Sequence, residues 1–291
     1  MTQTLDQLLQ ETKEGLQSQQ YLADDRTVAT VALAFLLEKP ILIEGPAGVG
    51  KTELAKAISS WKKFPLIRLQ CYEGLDEAKA LYEWDYRKQL LALQARKDES
   101  QSVDDLFSEE YLLERPLLAA IRANEQVVLL IDEIDKAEPE FESMLLELLS
   151  DFQVTIPELG TIKAKQRPIV ILTSNQMRNL SEALRRRCLY LYIDYPNPKR
   201  EAAIIRARVP GLKAQVIDDA ALALSQLRNM DLRKAPSVAE AVDWAEALSA
   251  MGIETLSVET VLQTLNVLIK DHADMEEAKR QLTRLAEGMK K

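Results

Sequence analysis

Eight consecutive residues restrict the fold more than any other part of the chain. Residues 45–52 read Gly-Pro-Ala-Gly-Val-Gly-Lys-Thr and match the spacing G-x-x-x-x-G-K-[ST]. They directly follow the apolar run Ile41–Ile43 and lead into a helical pattern from Val49 to Trp61. A strand, a glycine-rich turn and a helix in this order are typical of a phosphate-binding P-loop.

The chemistry of this loop depends on particular residue types. Glycines permit the backbone to turn its N–H groups inward, and the start of the following helix contributes positive charge. Lys51 supplies a cation for the outer phosphates, and the Thr52 hydroxyl can ligate Mg²⁺. The predicted nucleotide-binding residues are Gly45, Pro46, Ala47, Gly48, Val49, Gly50, Lys51 and Thr52.

Short apolar runs alternate with helical stretches through the first two-thirds of the chain. Their Val and Ile content and lack of strict alternation favour strands that are covered on both faces. We expect an α/β fold, with a three-layer αβα parallel sheet. The predicted strands are Ile41–Ile43, Leu66–Leu69, Val127–Ile131, Ile169–Leu172 and Leu189–Ile193.

Two intervals depart from simple alternation. Residues 75–124 are longer than one crossover requires, and we interpret them as a helical insertion with a charged break at 96–102. Residues 152–167 carry strand-like pieces at 153–156 and 161–165 around a turn, which predicts a β-hairpin before the fourth strand.

The clearest boundary lies at Tyr195-Pro196-Asn197-Pro198. Asn197 can cap a helix that has Pro198 at its first position, and every later pattern is helical. We predict two domains, an α/β nucleotide-binding domain with amino-terminal helices at 1–195 and a small all-helical lid at 196–291.

Acidic residues follow the third predicted strand. Asp132 and Glu133 stand at its carboxyl end, where open α/β sheets place their ligands. Asp132 is the second candidate Mg²⁺ ligand beside Thr52, and Glu133 is the candidate base that polarises the attacking water. Asp135 is a possible third ligand, but a structural role in capping the next helix is favoured.

The fourth strand also ends in a polar group, and three basic residues stand before the fifth. Asn175 follows Ile169–Leu172 and is a candidate to orient the water or contact the outer phosphate. Arg185, Arg186 and Arg187 precede the last strand, and guanidinium groups suit the charge that develops on a transferring phosphoryl group.

Composition excludes several kinds of function. Lys and Arg number 37 against 46 Asp and Glu, so the formal charge of -9 disfavours nucleic acid as a partner. The lone His272 rules out mechanisms based on a histidine base or triad, and Cys71 and Cys188 form no metal-binding spacing. No apolar run approaches membrane-spanning length, so we expect a cytoplasmic protein without a membrane span.

The order of these motifs resembles the AAA+ ATPases, and within them the MoxR family. LIEGPAGVGKTELAKAI and LIDEIDKAEPEFESMLLELLSDFQVTI are similar to MoxR proteins over this region, and ILTSN and LSEALRRRC follow in the same order. RLQCYEGLDEAKALYEW and LYIDYPNPKREAAIIRARVPGL look like the CoxD-type subgroup. The resemblance extends over nearly the whole chain.

The resemblance implies a Mg²⁺-ATP hydrolase that forms a homo-oligomeric ring, usually a hexamer, and remodels a client protein. Arg187 best matches the arginine that reaches the nucleotide of a neighbouring subunit, Arg186 is the second candidate, and Arg233 is the candidate lid arginine. Residues 72–75 take the place of the pore loop. MoxR proteins work with a partner that bears a von Willebrand factor A domain, and CoxD relatives are implicated in maturing molybdenum-containing CO dehydrogenases.

Two other functions stay open at this point. An AAA+ motor or loader acting on nucleic acid has the same fold, but the acidic balance disfavours it. A P-loop small-molecule kinase leaves Glu133, Asn175 and the arginines without a joint role. A translational GTPase is disfavoured because the N-K-x-D string is missing.

Overall fold

Five of the apolar runs form one parallel sheet in the computed structural model, which describes residues 4–95 and 106–288. The strands of the chain are β1 (Ile41–Glu44), β2 (Leu66–Gln70), β3 (Tyr82–Trp84), β4 (Leu112–Glu114), β5 (Val128–Asp132), β6 (Gln153–Ile156), β7 (Gly160–Lys163), β8 (Ile169–Ser174) and β9 (Leu189–Tyr192). The order of strands in this sheet is β2-β5-β8-β1-β9, with every neighbouring pair parallel.

Helices connect and cover these strands. The α-helices are α1 (Leu5–Ser18), α2 (Asp25–Leu37), α3 (Lys51–Lys62), α4 (Glu77–Ala80), α5 (Tyr86–Ala95), α6 (Pro116–Arg122), α7 (Pro139–Asp151), α8 (Glu182–Arg185), α9 (Pro198–Arg208), α10 (Ala214–Arg228), α11 (Val238–Ala250), α12 (Val258–Leu268) and α13 (His272–Gly288). Contacts join α2 to β1 and β9, α3 to β5 and β8, and α6 to β2 and β5.

Burial explains why the strands carry unbroken apolar runs. All four residues of β1 and all five of β5 are buried, as expected for strands with a helix layer on each face. The predicted class, an α/β parallel sheet followed by an all-helical region, is confirmed.

Contacts within the described residues divide the chain into two units. The first draws on residues 4–19, 23–45, 51–95 and 106–192, and the second on residues 20–22, 46–50 and 193–288. These ranges are defined by contacts, and the predicted domain boundary between residues 195 and 196 stays a prediction. Asn197 caps α9 by accepting a hydrogen bond from the Arg200 amide, with Pro198 at the first helical position, as the sequence predicts.

The insertion between β2 and β5 differs from the prediction. It contains α4, α5 and α6, but also a two-stranded antiparallel sheet of β3 and β4, so an interpretation as helix alone was wrong. Each strand has three residues, and its pairing partner lies about thirty residues away, so no local pattern marks it. The predicted charged break lies outside the described residues.

The predicted hairpin before the fourth strand of the sheet is confirmed. β6 pairs with β7 in antiparallel register, and Gly160 begins the second strand one residue earlier than expected. Phe152, which precedes β6, ends α7 in the left-handed conformation.

The second unit has a core of its own. Trp244 of α11 is fully buried and donates from its indole nitrogen to the Thr264 hydroxyl on α12 at 2.7 Å. Glu201 and Arg228 form a buried bidentate ion pair between α9 and the end of α10, at 2.5 and 2.7 Å. Among the described residues, none of the helices is both long and apolar enough to cross a membrane.

Candidate functional site

The carboxyl ends of three neighbouring strands bring the predicted site residues of the first unit together. β5, β8 and β1 lie side by side, and they end at Asp132, Ser174 and Glu44. Parallel strands end at the same edge, so Glu133, Asn175 and Gly45, which follow them, lie at one edge of the sheet. The sequence positions of these groups are far apart, and the sheet is what joins them.

The glycine-rich turn adopts the backbone that its sequence requires. Gly48 has a φ of 72° and Gly50 a φ of 95°, a region that residues with a Cβ rarely occupy. Within the second unit, the Gly48 carbonyl accepts a hydrogen bond from the Val238 amide at 3.1 Å. A Cβ on Gly48 would lie 2.3 Å from the Ser237 Cβ, so this position has no space for a side chain.

Lys51 begins α3 and is buried among acceptors. Its Nζ donates to the Gly45 carbonyl and to the Asn175 Oδ1, both at 2.7 Å. Burial lowers the Lys51 pKa to about 8, although the nearby carboxylates of Asp135, Asp132 and Glu133 act in the opposite direction. A phosphate group would supply the negative charge that favours the protonated lysine.

Asp132 is a buried carboxylate held by several donors. Thr52 Oγ1 donates to it with distances of 3.0 and 3.2 Å to its two oxygens, and Thr173 Oγ1 lies 2.5 Å from its Oδ1. Arg68 on β2 places its guanidinium 2.5 Å from Oδ2. The side chain of Asp132 is 3% exposed, so the negative charge is fixed in position by these contacts.

Glu133 stands in an unusual backbone conformation. Its φ is 56° and its ψ is 49°, the left-handed region, which costs free energy for a residue with a side chain. The Glu133 amide donates to Thr173 Oγ1 at 2.9 Å, which holds the turn. Strained backbone at the end of a strand is a feature that functional sites share.

The Glu133 carboxylate has three polar neighbours. Asn175 Nδ2 lies 3.4 Å from Oε1, long for a hydrogen bond, whereas Gln70 Nε2 lies 2.9 Å and Lys136 Nζ 2.6 Å from Oε2. The side chain is 30% exposed, which leaves the carboxylate accessible to water.

Asp135 has a structural role, but not the predicted one. Its Oδ2 accepts hydrogen bonds from the backbone amides of Asn175 and Met177, at 3.1 and 2.9 Å. It therefore holds the loop after β8, whereas α7 begins at Pro139 without a side-chain cap from its own N-cap residue. The expectation that Asp135 caps the next helix was wrong because the buried carboxylate serves a neighbouring loop.

The donor set suits the metal that the sequence predicts. Thr52 and Asp132 offer a hydroxyl and a carboxylate next to each other, the hard oxygen ligands that Mg²⁺ prefers. Across the described residues there is no group of three or more His, Cys, Asp or Glu that could hold a metal by itself. Such a sparse protein contribution fits Mg²⁺, which is usually bound through one or two side chains together with substrate phosphates.

Each arginine of the triplet has a different environment. Arg185 donates to the buried Glu44 at 2.6 Å, and Arg186 pairs with Glu182 on the surface. Arg187 donates from Nε to Ser150 Oγ at 2.5 Å and from Nη1 to the Ala183 carbonyl at 2.8 Å. Their predicted roles toward a neighbouring subunit stay predictions.

Arg233 belongs to the second unit, in the segment between α10 and α11. Its backbone amide donates to Asp274 Oδ1 at 3.0 Å, and the Lys234 amide donates to the other oxygen of that carboxylate. Its role toward a nucleotide stays a prediction.

Four residues in or beside this edge were not found from the sequence, namely Arg68, Gln70, Thr173 and Glu44. Arg68 and Gln70 stand two residues apart on β2, and polar side chains at that spacing share one face of a strand. This alternation of polar residues along β2 could have identified Arg68 and Gln70 from the sequence. Glu44 and Thr173 have no comparable sequence signal, because a single polar residue at a strand end is common.

The parallel sheet, the glycine-rich loop before α3 and the carboxylates after β5 define a P-loop NTPase. Residues 41–194 match the sequence profile of the ATPase family associated with various cellular activities (AAA). The chain belongs to this AAA family. Membership implies nucleotide binding and, in general terms, ATPase activity.

Curated relatives from staphylococci match over most of their length. An uncharacterized protein of Staphylococcus haemolyticus is 29% identical over 264 residues, which covers 84% of this chain and 92% of the relative. Uncharacterized proteins of Staphylococcus epidermidis strain ATCC 12228 and Staphylococcus aureus strain RF122 are 28% and 27% identical over 258 residues, with the same coverage. These relatives carry no assigned activity.

Proposed function

We propose that the chain is a Mg²⁺-dependent ATP hydrolase of the MoxR type that assembles into a ring and remodels a client protein. One observation carries the hydrolytic part of this proposal. Lys51, Asn175 and Glu133 form a connected chain of polar groups at the edge of the sheet, next to the Thr52 and Asp132 pair. A site for binding alone has no need of a water-accessible carboxylate near its phosphate-binding lysine.

The residues at this edge of the sheet have separate roles in hydrolysis. The backbone N–H groups of the loop and the protonated Lys51 hold the phosphates. Glu133 accepts a proton from a water molecule, and Asn175, which reaches both Lys51 and Glu133, orients that water against the outer phosphate. Arg187, or Arg186, from a neighbouring subunit would stabilise the charge on the transferring group.

When bound, Mg²⁺ neutralises charge on the phosphate oxygens. Thr52 and Asp132 are the residues that would hold it. Thr173 supports this arrangement, because its hydroxyl contacts Asp132 Oδ1 and also accepts from the Glu133 amide.

The choice of MoxR type rests on the sequence resemblance. The segments around the P-loop and around Asp132 support MoxR, and the segments at 68–84 and 191–212 support the CoxD-like subgroup. On this basis the ring is a hexamer, the partner bears a von Willebrand factor A domain, and the client is a metalloenzyme such as a molybdenum-containing CO dehydrogenase. Arg233 of the lid would contact the nucleotide bound by its own subunit.

The substitution Glu133→Gln tests hydrolysis. It keeps the size of the side chain and removes its basicity, so ATP turnover should fall by at least about 100-fold while ATP affinity changes by less than about threefold. Glu140→Gln is the matched control, since Glu140 is exposed in the first turn of α7. Unchanged turnover in Glu133→Gln would remove Glu133 from its proposed role.

Assembly is tested on the same variant. Native mass measured with and without ATP should show a ring that persists with Glu133→Gln, since the nucleotide is then retained. A strict monomer in both conditions would contradict the ring and leave Arg186 and Arg187 without a target.

A further inference from the structure

Glu44 is a buried carboxylate that the proposed hydrolysis does not use. It is the last residue of β1, directly before Gly45, and only 1% of its surface is exposed. Three side chains donate to it, namely Arg185 at 2.6 Å, Gln176 at 3.0 Å and Tyr190 at 3.0 Å. Burying a carboxylate is unfavourable unless it is paired and hydrogen-bonded, and here the donors meet that requirement.

The three donors come from three separate segments. Gln176 lies in the loop after β8, next to Asn175, and has a φ of 61°. Tyr190 belongs to β9, and Arg185 is the last residue of α8. A single carboxylate therefore joins the start of the P-loop to the segment that carries the arginine triplet.

Arg185 differs from the two arginines that follow it. Its charge is committed to Glu44 within its own subunit, whereas the Arg186 side chain is 75% exposed and pairs with another exposed residue, Glu182. The four-residue helix α8 is too short to be stable through its own backbone hydrogen bonds, so contacts with the rest of the unit must hold it. The pair with the buried Glu44 ties the last residue of this short helix to the end of β1.

We propose that Glu44 is a positioning residue that holds the end of α8 through Arg185 and thereby aligns Arg186 and Arg187 for a neighbouring subunit. The role rests on the proposed function, because it needs a ring in which arginines complete the neighbour's site. Glu44 directly precedes Gly45 in the chain, so the residue that holds the arginine segment stands at the start of the P-loop sequence.

Mixed rings separate this role from nucleotide binding. Lys51→Ala subunits lose their own nucleotide site but keep the arginines, and Arg186→Ala/Arg187→Ala subunits lose the arginines but keep the site. Mixed together, the two should show ATP hydrolysis that neither shows alone. If this reference mixture gains no activity, the arginines do not act between subunits, and both the proposed ring mechanism and the role of Glu44 fail.

The inference itself is tested by adding Glu44→Gln to the arginine donor. Lys51→Ala/Glu44→Gln subunits should restore at least about fivefold less activity than Lys51→Ala subunits when mixed with the same Arg186→Ala/Arg187→Ala partner. Glu38→Gln in the same background is the matched control, because Glu38 forms an exposed pair with Arg167 and should leave restoration unchanged. Full restoration by the Glu44→Gln donor overturns the proposal while the reference mixture still supports the ring.

A second pair of variants addresses folding. If Glu44→Gln lowers the melting temperature of the donor by more than a few degrees, Arg185→Met is used in the donor in place of Glu44→Gln. The Arg185 side chain is 36% exposed, so its loss disturbs the core less. Arg185→Met donors should show the same loss of restoration, and Arg185→Lys donors should recover most of it because the charge is kept. Equal restoration by the Met and Lys variants contradicts a positioning role for the pair.

Discussion

Lys51 donates a hydrogen bond of 2.7 Å to Asn175, a residue 124 positions further along the chain. The contact exists because β1 and β8 are neighbours, with Glu44 opposite Ser174 in the register, so the residues that follow both strands meet. The lysine of the phosphate loop and the amide after β8 are thus held together by the pairing of the two strands. Asn175 also faces Glu133, which makes it the link between binding and hydrolysis.

Replacing Asn175 with alanine should therefore impair turnover more than binding. Lys51 keeps its hydrogen bond to the Gly45 carbonyl, so ATP affinity should change by less than about tenfold, while kcat falls by about 10- to 100-fold. Single-turnover hydrolysis and ATP binding by calorimetry measure the two quantities. Asn179→Ala is the control, because Asn179 is exposed and lies, like Asn175, between β8 and α8. Equal losses in ATP affinity and in kcat would contradict the expectation that Asn175 serves turnover more than binding.

The sequence predicts the residues at the carboxyl ends of β1, β5 and β8 well, and the reason is physical. Strands buried on both faces need unbroken apolar runs, and a phosphate loop needs glycine, lysine and a hydroxyl at fixed spacing, so both leave local marks. The order of those runs then places Asp132, Glu133 and Asn175 at strand ends.

Other features depend on contacts between distant segments and leave no local mark. β3 and β4 are paired across the insertion, and the donors to Glu44 come from the loop after β8, from α8 and from β9. A sequence shows only which residues adjoin Asp135 along the chain, and on that basis it predicts that Asp135 caps the next helix. In the structure its partners are the amides of Asn175 and Met177.

The Lys51 pKa makes ATP affinity depend on pH. Burial lowers this pKa to about 8 in the chain without nucleotide, and bound phosphate should raise it, so binding takes up a proton at alkaline pH. Affinity should be constant below pH 7.5 and weaken above pH 8, by about tenfold between pH 7 and pH 9. Calorimetry in EDTA, without Mg²⁺, isolates the lysine from any effect of the metal.

A conservative variant checks that Lys51 is the group responsible. Lys51→Arg replaces it with a guanidinium that stays protonated throughout this range, so any remaining ATP affinity should be independent of pH between 7 and 9. A wild-type protein that binds ATP equally well at pH 7 and pH 9 would show that Lys51 stays charged without phosphate.

Arg68 should compete with Mg²⁺ for Asp132. Its guanidinium lies 2.5 Å from Asp132 Oδ2, and a bound dication beside the same carboxylate would repel it. Arg68→Met should therefore lower the Mg²⁺ concentration needed for half-saturation of the ATP-bound protein, by roughly threefold to tenfold because the arginine is half exposed. Titration of Mg²⁺ into protein with ATP, followed by the change in intrinsic fluorescence, measures it.

The control for Arg68 lies on an exposed surface. Arg167→Met removes a guanidinium from the exposed pair with Glu38 and should leave the Mg²⁺ requirement unchanged. A higher Mg²⁺ requirement in Arg68→Met would show instead that Arg68 organises Asp132 for the metal.

Gly15 presents a case in which the usual effect of a helix substitution should be reversed. Replacing a glycine in the interior of a helix with alanine normally stabilises by up to about 1 kcal/mol. In α1, however, a Cβ on Gly15 would lie 2.0 Å from Trp61 Cε2, far inside contact distance. Trp61 is held by an edge-to-face contact with Phe35 and by Lys62 over its ring, so the indole cannot move away freely.

Gly15→Ala should therefore destabilise by about 1–3 kcal/mol, as overpacking of a core does. Urea unfolding at equilibrium measures the change, and Gly211→Ala is the comparison, since a methyl there would meet only Ser249 Oγ at 3.7 Å. Adding Trp61→Leu should reverse the sign, with Gly15→Ala neutral or stabilising in that background because the obstructing ring is gone. Since Trp61 is near the end of α3, the helix that begins with Lys51 and Thr52, loss of ATP affinity in Gly15→Ala would show that α1 supports the phosphate site through this contact.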